Sequence, residues 1–200
     1  MQNGWNRHSI IIKQKEDARI KNVVVITGSP RKGGNSDLLA EAFIKAAEEK
    51  GHSVQRFDAG RMKIGGCHAC NTCYKTGKPC TFDDDFNKIA PAVLDADAVV
   101  FSMPTYWFSV PSNIKGVLDR LYCFLPGEKM EQATGKKAAI FACCMDDLSA
   151  MDAIKMTFEK SFALMGWENV GEVLVPGVGE PGDVRKTDGL ARAAAVAELI

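Results

Sequence analysis

The sequence has no surplus of either charge. Lys and Arg number 25, Asp and Glu number 25, and the formal net charge over 200 residues is zero. That balance argues against a general nucleic-acid partner and against an anionic membrane surface. Long apolar runs are lacking too. The longest, Ala138 to Met145, falls far short of the roughly 20 residues a membrane-spanning helix needs. The opening residues, MQNGWNRHSIIIKQKEDARI, hold only the triplet Ile10-Ile11-Ile12 where a secretory signal would carry a hydrophobic stretch. The expected location is therefore the cytoplasm. Internal repeats, low-complexity tracts and linkers are also absent. One domain over residues 21–200 is expected, preceded by an extension over residues 1–20.

What remains is an ordinary globular composition, 46% hydrophobic, enough to bury a core without disulfides. Val23-Val24-Val25-Ile26 is a continuous β-branched run of the kind that forms a central parallel strand. An amphipathic helix follows over Ser36–Lys50, then a strand over Ser53–Phe57. Residues 59–82 show no period and read as a long functional loop. Asp83–Leu94 reads as a helix with three acidic residues in its first turn, where the helix dipole favours them. Ala98–Phe101 is a third strand, and Pro111 suits the first turn of the next helix. Lys137–Cys143, Met151–Leu164, Gly171–Val175 and Thr187–Ile200 continue the alternation as strand, helix, strand, helix. This predicts an α/β fold in three layers, a doubly wound five-stranded parallel sheet, with ligands at the carboxyl ends of its strands.

The loop after the first strand reads Gly28-Ser29-Pro30-Arg31-Lys32-Gly33-Gly34-Asn35-Ser36 and runs straight into a helix start. Free N–H groups and the positive dipole end make that position an anion site. Ser29, Asn35 and Ser36 add side-chain donors, Arg31 adds a planar cation, and Gly33 and Gly34 let the backbone approach a ligand. The P-loop pattern is absent, which argues against a nucleoside triphosphate with magnesium. The letters GxGxxG occur at Gly177, Gly179 and Gly182, but Pro181 interrupts them and too little chain follows for a ribose-binding acid. The loop after the third strand, Met103-Pro104-Thr105-Tyr106-Trp107-Phe108-Ser109-Val110-Pro111, places three aromatics at a strand's carboxyl end. A flat apolar ring with polar edges accounts for them. Phosphate at one loop and a planar ring at the other describe a site for flavin mononucleotide, FMN.

Four cysteines, Cys67, Cys70, Cys73 and Cys80, follow the spacing C-x2-C-x2-C-x6-C. In a reducing compartment such a cluster points to metal or redox chemistry more than to disulfides. Three cysteines at intervals of three can converge on one cubane, with the fourth arriving after the turn at Gly77-Lys78-Pro79. Zinc fits less well, because its ligand pairs usually flank a longer insert. Ordinary loop thiols remain the alternative.

GSPRKGGNS, MPTYWFSVPSNIKGVLDR and the CxxCxxC between them resemble the NAD(P)H-dependent FMN reductase family, and within it the iron–sulfur flavoprotein branch. The resemblance runs from about Lys21 to the C-terminus. It implies a flavodoxin-like fold with strand order 2-1-3-4-5. It implies that Ser29, Arg31, Gly34, Asn35 and Ser36 cradle the FMN phosphate. Pro104, Thr105, Tyr106, Trp107 and Phe108 would frame the flavin ring, and Cys143, Cys144, Met145 and Asp146 would close a third side. Cys67, Cys70, Cys73 and Cys80 would hold a [4Fe–4S] cluster. Electrons would pass from NAD(P)H, or from a ferredoxin, through FMN to a quinone, flavin, iron or redox-protein acceptor. The alternative is a flavodoxin-type or iron–sulfur flavoprotein electron carrier without small-molecule turnover. No catalytic side chain is required, and His8, His52 and His68 are read as surface residues. This chain departs from the family at Phe108-Ser109, where small glycines are common, a change expected to narrow access to the ring. The residues Tyr122, Phe124 and Leu125 fall off the stripe of their helix and predict a homodimer or homotetramer.

Overall fold

A computed structural model describes residues 19–125 and 128–200, so nearly all of the 1–20 extension lies outside the described residues. The five β-branched or apolar runs form one parallel sheet of β1 (Asn22–Thr27), β2 (Ser53–Phe57), β3 (Ala98–Pro104), β4 (Lys137–Cys143) and β5 (Glu168–Val175), in the order β2-β1-β3-β4-β5. All neighbours run parallel, with Val25 opposite Val100 and Phe101 opposite Ile140 in register. Seven helices complete the described chain: α1 (Asn35–Glu49), α2 (Thr72–Thr76), α3 (Phe86–Asp95), α4 (Ser112–Arg120), α5 (Glu128–Ala133), α6 (Asp152–Met165) and α7 (Gly189–Ala195).

The strands are apolar on both faces because helices cover both. On one side Val24, Ile26, Val99, Phe101 and Ile140 pack against Ile89 and Val93 of α3, Ile114 and Val117 of α4, and Phe158 and Phe162 of α6. On the other side Val23, Val25, Val100 and Phe141 pack against Leu39 and Phe43 of α1 and Ala193 of α7. The crossover from β1 to β2 thus runs over one face and the three that follow run over the other, and the strand order reverses between β1 and β3. The crevice over that reversal is where such sheets place ligands.

The sequence reading differs from the fold in several places. β5 starts at Glu168, earlier than Gly171, because its first residues pair with Lys137 and Ala138 at the sheet edge. The closing helix is interrupted: α7 is flanked by 3-10 turns at Asp183–Lys186 and Val196–Glu198. The structure adds two helices that the sequence pattern does not show, α2 inside the 59–82 stretch and α5 at Glu128–Ala133. The acidic triplet is not the first turn of α3, which begins at Phe86 after Asp85 as its cap. Asp84 turns to Arg120 at 2.5 Å, because a buried arginine is a stronger partner than an exposed helix dipole.

An ionic lattice ties the carboxyl end of β2 to the start of α1. Arg56 bridges Asp37 and Asp58, and Asp58 also accepts from Thr27 Oγ1 at 2.9 Å and Arg61 at 2.7 Å. Burial alone would raise the Asp58 pKa, but its bonds to Arg56 and Thr27 hold it below the ordinary value. Its folded pKa is therefore the lower one. The stability it contributes is present above the ordinary carboxylate range and is lost as pH falls through the folded value. Asp58→Asn is expected to cost about 1 kcal/mol at neutral pH for this partly exposed group and to flatten the loss of stability below about pH 4. Urea unfolding as a function of pH measures both, and an unchanged acid limb would remove Asp58 from the account.

Candidate functional site

The first wall is built by the turn after β1. Gly28 donates its N–H to the Ser102 carbonyl at 2.8 Å, and the chain then turns through Ser29–Gly34 into α1. Ser29 Oγ accepts the Arg31 N–H at 3.1 Å, and Gly33 N–H is held by Asp37 Oδ2 at 2.7 Å. Buried Ser102 donates to the Ser36 carbonyl at 2.6 Å, pinning the helix start to β3. Gly34 caps α1 without any side-chain bond to the first N–H groups, so the helix opens with donors and dipole directed to a ligand.

Asn35 does something the sequence did not disclose. Its Oδ1 accepts from Gly182 N–H at 3.0 Å and Val184 N–H at 3.2 Å, and its Nδ2 donates to the Glu180 carbonyl at 2.9 Å. This amide binds the loop after β5 to the loop after β1. That loop holds the GxGxxG letters and supplies Val178, Gly179 and Pro181 to the pocket. It is no dinucleotide fingerprint, yet it forms a fourth wall, which no local pattern marked.

A cavity of about 250 Å³ lies over the sheet's carboxyl edge. Into it the fold brings Ser29, Arg31 and Gly34–Ser36 from the first loop, Pro104–Tyr106 from the loop after β3, and Cys143–Met145 from the loop after β4. Asp146 is not among the lining residues. Trp107 and Phe108 are not either: they stand 94% and 60% exposed at the tip of a two-residue hairpin, closed by reciprocal 3.0 Å bonds between Tyr106 and Ser109. Both tip residues have positive φ, 48° and 59°, in the geometry that hairpins usually give to Asn and Gly. Phe108 therefore does not narrow the pocket from within its own chain.

Two features prepare the cavity for a ligand. Thr105 Oγ1 is buried and has no hydrogen-bond partner, a group that a ligand can satisfy. Cys143 and Cys144 bring no reactive thiolate: burial pushes Cys143 up to about 12 and raises Cys144 as well. They are walls.

The cysteine loop forms a second place. Cys67, Cys70, Cys73 and Cys80 line one small cavity of about 20 Å³ with His68, Arg120 and Cys123. Cys123 is a buried fifth thiol, held up at about 12 by desolvation, which spacing alone had left out. His68 packs on Phe82 with centroids 4.5 Å apart. Among the described residues no group of three or more His, Cys, Asp or Glu side chains is arranged to hold a metal ion. Of the residues read as an oligomer patch, Phe124 packs into the core and Leu125 against it, while Tyr122 stays 38% exposed beside the cysteine loop. Phe124 is 1% exposed, and Tyr122 stacks on Tyr74 of the cysteine loop at 4.8 Å.

The sheet order, the crevice at the switch point and the pocket together define a flavodoxin-like protein. The chain belongs to the NADPH-dependent FMN reductase family, whose pattern it matches over residues 21–177. It is 35% identical over 98 residues to an iron–sulfur flavoprotein of Archaeoglobus fulgidus, covering 49% of this chain and 44% of that one. It thus spans about half the length of that relative. It is 26% identical over 168 residues to a putative NAD(P)H-dependent FMN-containing oxidoreductase of Bacillus subtilis, covering 81% and 88%. A solved structure titled Trp repressor binding protein from Bacillus subtilis superposes with a TM-score of 0.66 at 26% identity over 87% of this chain and 99% of that one. An FMN-dependent NADH-azoreductase from Bacillus anthracis in complex with FMN gives 0.64 at 13% identity, covering 90% and 99%, which speaks for the fold alone. No helix among the described residues is long and apolar enough to cross a membrane.

Gly60 offers a test of how tightly the first wall is set. A Cβ there would lie 2.4 Å from both the carbonyl carbon and oxygen of Ser29, backbone atoms that cannot step aside. Gly60→Ala is expected to displace the Ser29 loop, lower stability by about 1–3 kcal/mol and weaken flavin binding. Gly66→Ala, with nothing within 4 Å, is the control. Flavin fluorescence quenching and thermal unfolding read the two effects, and equal behaviour of the pair would contradict the packing argument.

Proposed function

We propose that this chain holds one FMN in the 250 Å³ cavity and uses it to pass electrons from NAD(P)H to a quinone, flavin or iron acceptor. The observation that carries the reading is the convergence of the uncapped start of α1, Arg31 and the partnerless Thr105 hydroxyl on one cavity at the switch point. The group fits. Ser29, Arg31, Ser36 and the α1 N–H groups would take a phosphate, and Pro104, Thr105 and Tyr106 would lie along the ring. Bound FMN supplies the redox chemistry. The protein contributes orientation, a dry wall of neutral thiols at Cys143 and Cys144, and no acid or base. Asn35 is assigned to holding the fourth wall, leaving its backbone N–H for the ligand.

The same family reading extends to a [4Fe–4S] cluster on Cys67, Cys70, Cys73 and Cys80, relaying single electrons to or from a ferredoxin-like partner. The donor set supports it: four thiols from one loop around one cavity. A homodimer or homotetramer belongs to the proposal as well, with the exposed Trp107–Phe108 tip as the available apolar surface.

Four measurements test this. The chromophore released from purified protein should behave as FMN on chromatography, and NADH or NADPH oxidation should proceed with a quinone or ferricyanide. A bound flavin with no pyridine-nucleotide turnover would leave an electron carrier; a protein that ignores added FMN would end the proposal. Arg31→Ala with Ser36→Ala should weaken FMN binding by about 2–4 kcal/mol, one to two per charged or buried hydrogen bond. Anaerobic reconstitution should load about four irons per chain, and less than one iron with flavin intact would reduce the cysteines to loop thiols.

A further inference from the structure

The cysteine cavity has a wall that the cysteine spacing does not call for. Arg120 ends α4, its side chain is 2% exposed, and it lines the cavity beside Cys80 and Cys123. Its guanidinium lies over the Phe86 ring, 4.3 Å from the centroid. Nη1 donates to Asp84 Oδ2 at 2.5 Å and to the Gly65 carbonyl at 3.4 Å. Nε and Nη2 are buried and have no partner.

A guanidinium is a rigid planar fork. The stacking on Phe86 sets its plane, and the Nη1 bonds set its rotation, so the remaining donors have a fixed direction. Asp84 does not serve them, because its oxygens are occupied by Arg120 Nη1, by Gly65 N–H at 3.0 Å and by Phe86 N–H at 3.1 Å. A purely structural Arg–Asp pair would gain by becoming bidentate. This one is not bidentate and leaves two buried donors unused, a costly arrangement unless another group accepts from them. Cys80 lines the same cavity as the guanidinium.

We propose that Arg120 donates Nε–H and Nη2–H to sulfur of an iron–sulfur cluster held by Cys67, Cys70, Cys73 and Cys80, orienting the cluster and raising its reduction potential. This rests on the cluster reading above. The added electron makes the cluster more negative. Hydrogen bonds to sulfur and a buried cation stabilise that form more than the oxidised one. Arg120 is thus a positioning residue that acts on the cluster through its sulfurs.

The test uses the full chain, reconstituted anaerobically with iron and sulfide and titrated spectroelectrochemically, so that cluster and flavin midpoints are read separately. Arg120→Lys keeps a cation beside Asp84 and removes the planar fork. It should load iron as the unaltered chain does and show a more negative cluster midpoint, by tenfold or more in the one-electron equilibrium, about 59 mV, with the flavin midpoint unmoved. Should the lysine variant not fold, Arg120→Gln with Asp84→Asn removes both charges together and should also move the midpoint downward. An unchanged cluster midpoint in a variant that loads iron overturns the role of Arg120 and leaves the cluster standing. An unaltered chain that keeps its flavin and takes up less than one iron overturns both.

Discussion

The amide of Asn35 is the contact on which the pocket depends. It sits in the first turn of α1, buried, and reaches across to three backbone groups of the segment 180–184. Without it the loops after β1 and β5 would be two separate surface turns at the sheet's carboxyl edge. With it they become one wall, and the start of α1 cannot move without moving the loop that faces it. Ser102 fixes the same helix start from below through the Ser36 carbonyl. The Asp37–Arg56–Asp58 lattice fixes it from the side. A helix start held from three directions keeps its free N–H groups in place before a ligand arrives, which is the condition for an anion site to bind without an ordering cost.

Much of this fold could be read from pattern. Val23–Ile26, Ala98–Phe101 and Lys137–Cys143 are buried on both faces, so their composition alone marks them as central parallel strands. The strand order came from family resemblance and not from pattern, since nothing local decides which strands are neighbours. The pocket was legible wherever its residues sit immediately beyond a strand: Ser29, Thr105 and Cys144 each follow one. It was illegible where tertiary contact chooses the role. Val178, Gly179 and Pro181 reach the pocket through long-range contacts: Asn35, some 145 residues away, holds residues 180–184, and the Cys144 carbonyl accepts from Val178 N–H at 2.8 Å. Trp107 and Phe108 share the composition of a ring-binding loop, yet a two-residue hairpin turns both outward. The reading of Asp83–Asp85 as a helix's first turn failed because Arg120, far along the chain, competes for Asp84.

That hairpin has an energetic cost worth weighing. Two bulky aromatics hold left-handed backbone angles, a conformation costing of order 1–3 kcal/mol for each such residue. Two 3.0 Å bonds between Tyr106 and Ser109 close the turn but return only about 1 kcal/mol each. The exposed rings bury little. The tip is therefore an arrangement that the sequence tolerates against local preference, directly beside a cavity whose Tyr106 wall it continues.

Helix α4 joins the two places where chemistry is concentrated. It begins just after the aromatic loop and ends in Arg120, a span of roughly 13 Å at 1.5 Å per residue. Midway, Gly116 lets another chain segment press against it: a Cβ there would lie 3.1 Å from the Gly65 carbonyl and 3.2 Å from Ile64. Gly65 leads into the cysteine loop and also contacts both Arg120 and Asp84. The cysteine loop is thus fastened to the same rigid element whose other end follows the Pro104–Tyr106 wall of the pocket. Its own segment from Cys67 to Asn71 is exposed and makes little packing contact. The fastening lies in the Ile64–Gly65 approach, the Arg120–Asp84 pair and the Tyr74–Tyr122 stack. The Pro104–Tyr106 wall is itself anchored in the sheet, where Thr105 N–H donates to the Cys143 carbonyl at 2.8 Å, so α4 holds the cysteine cavity against a fixed edge of the pocket.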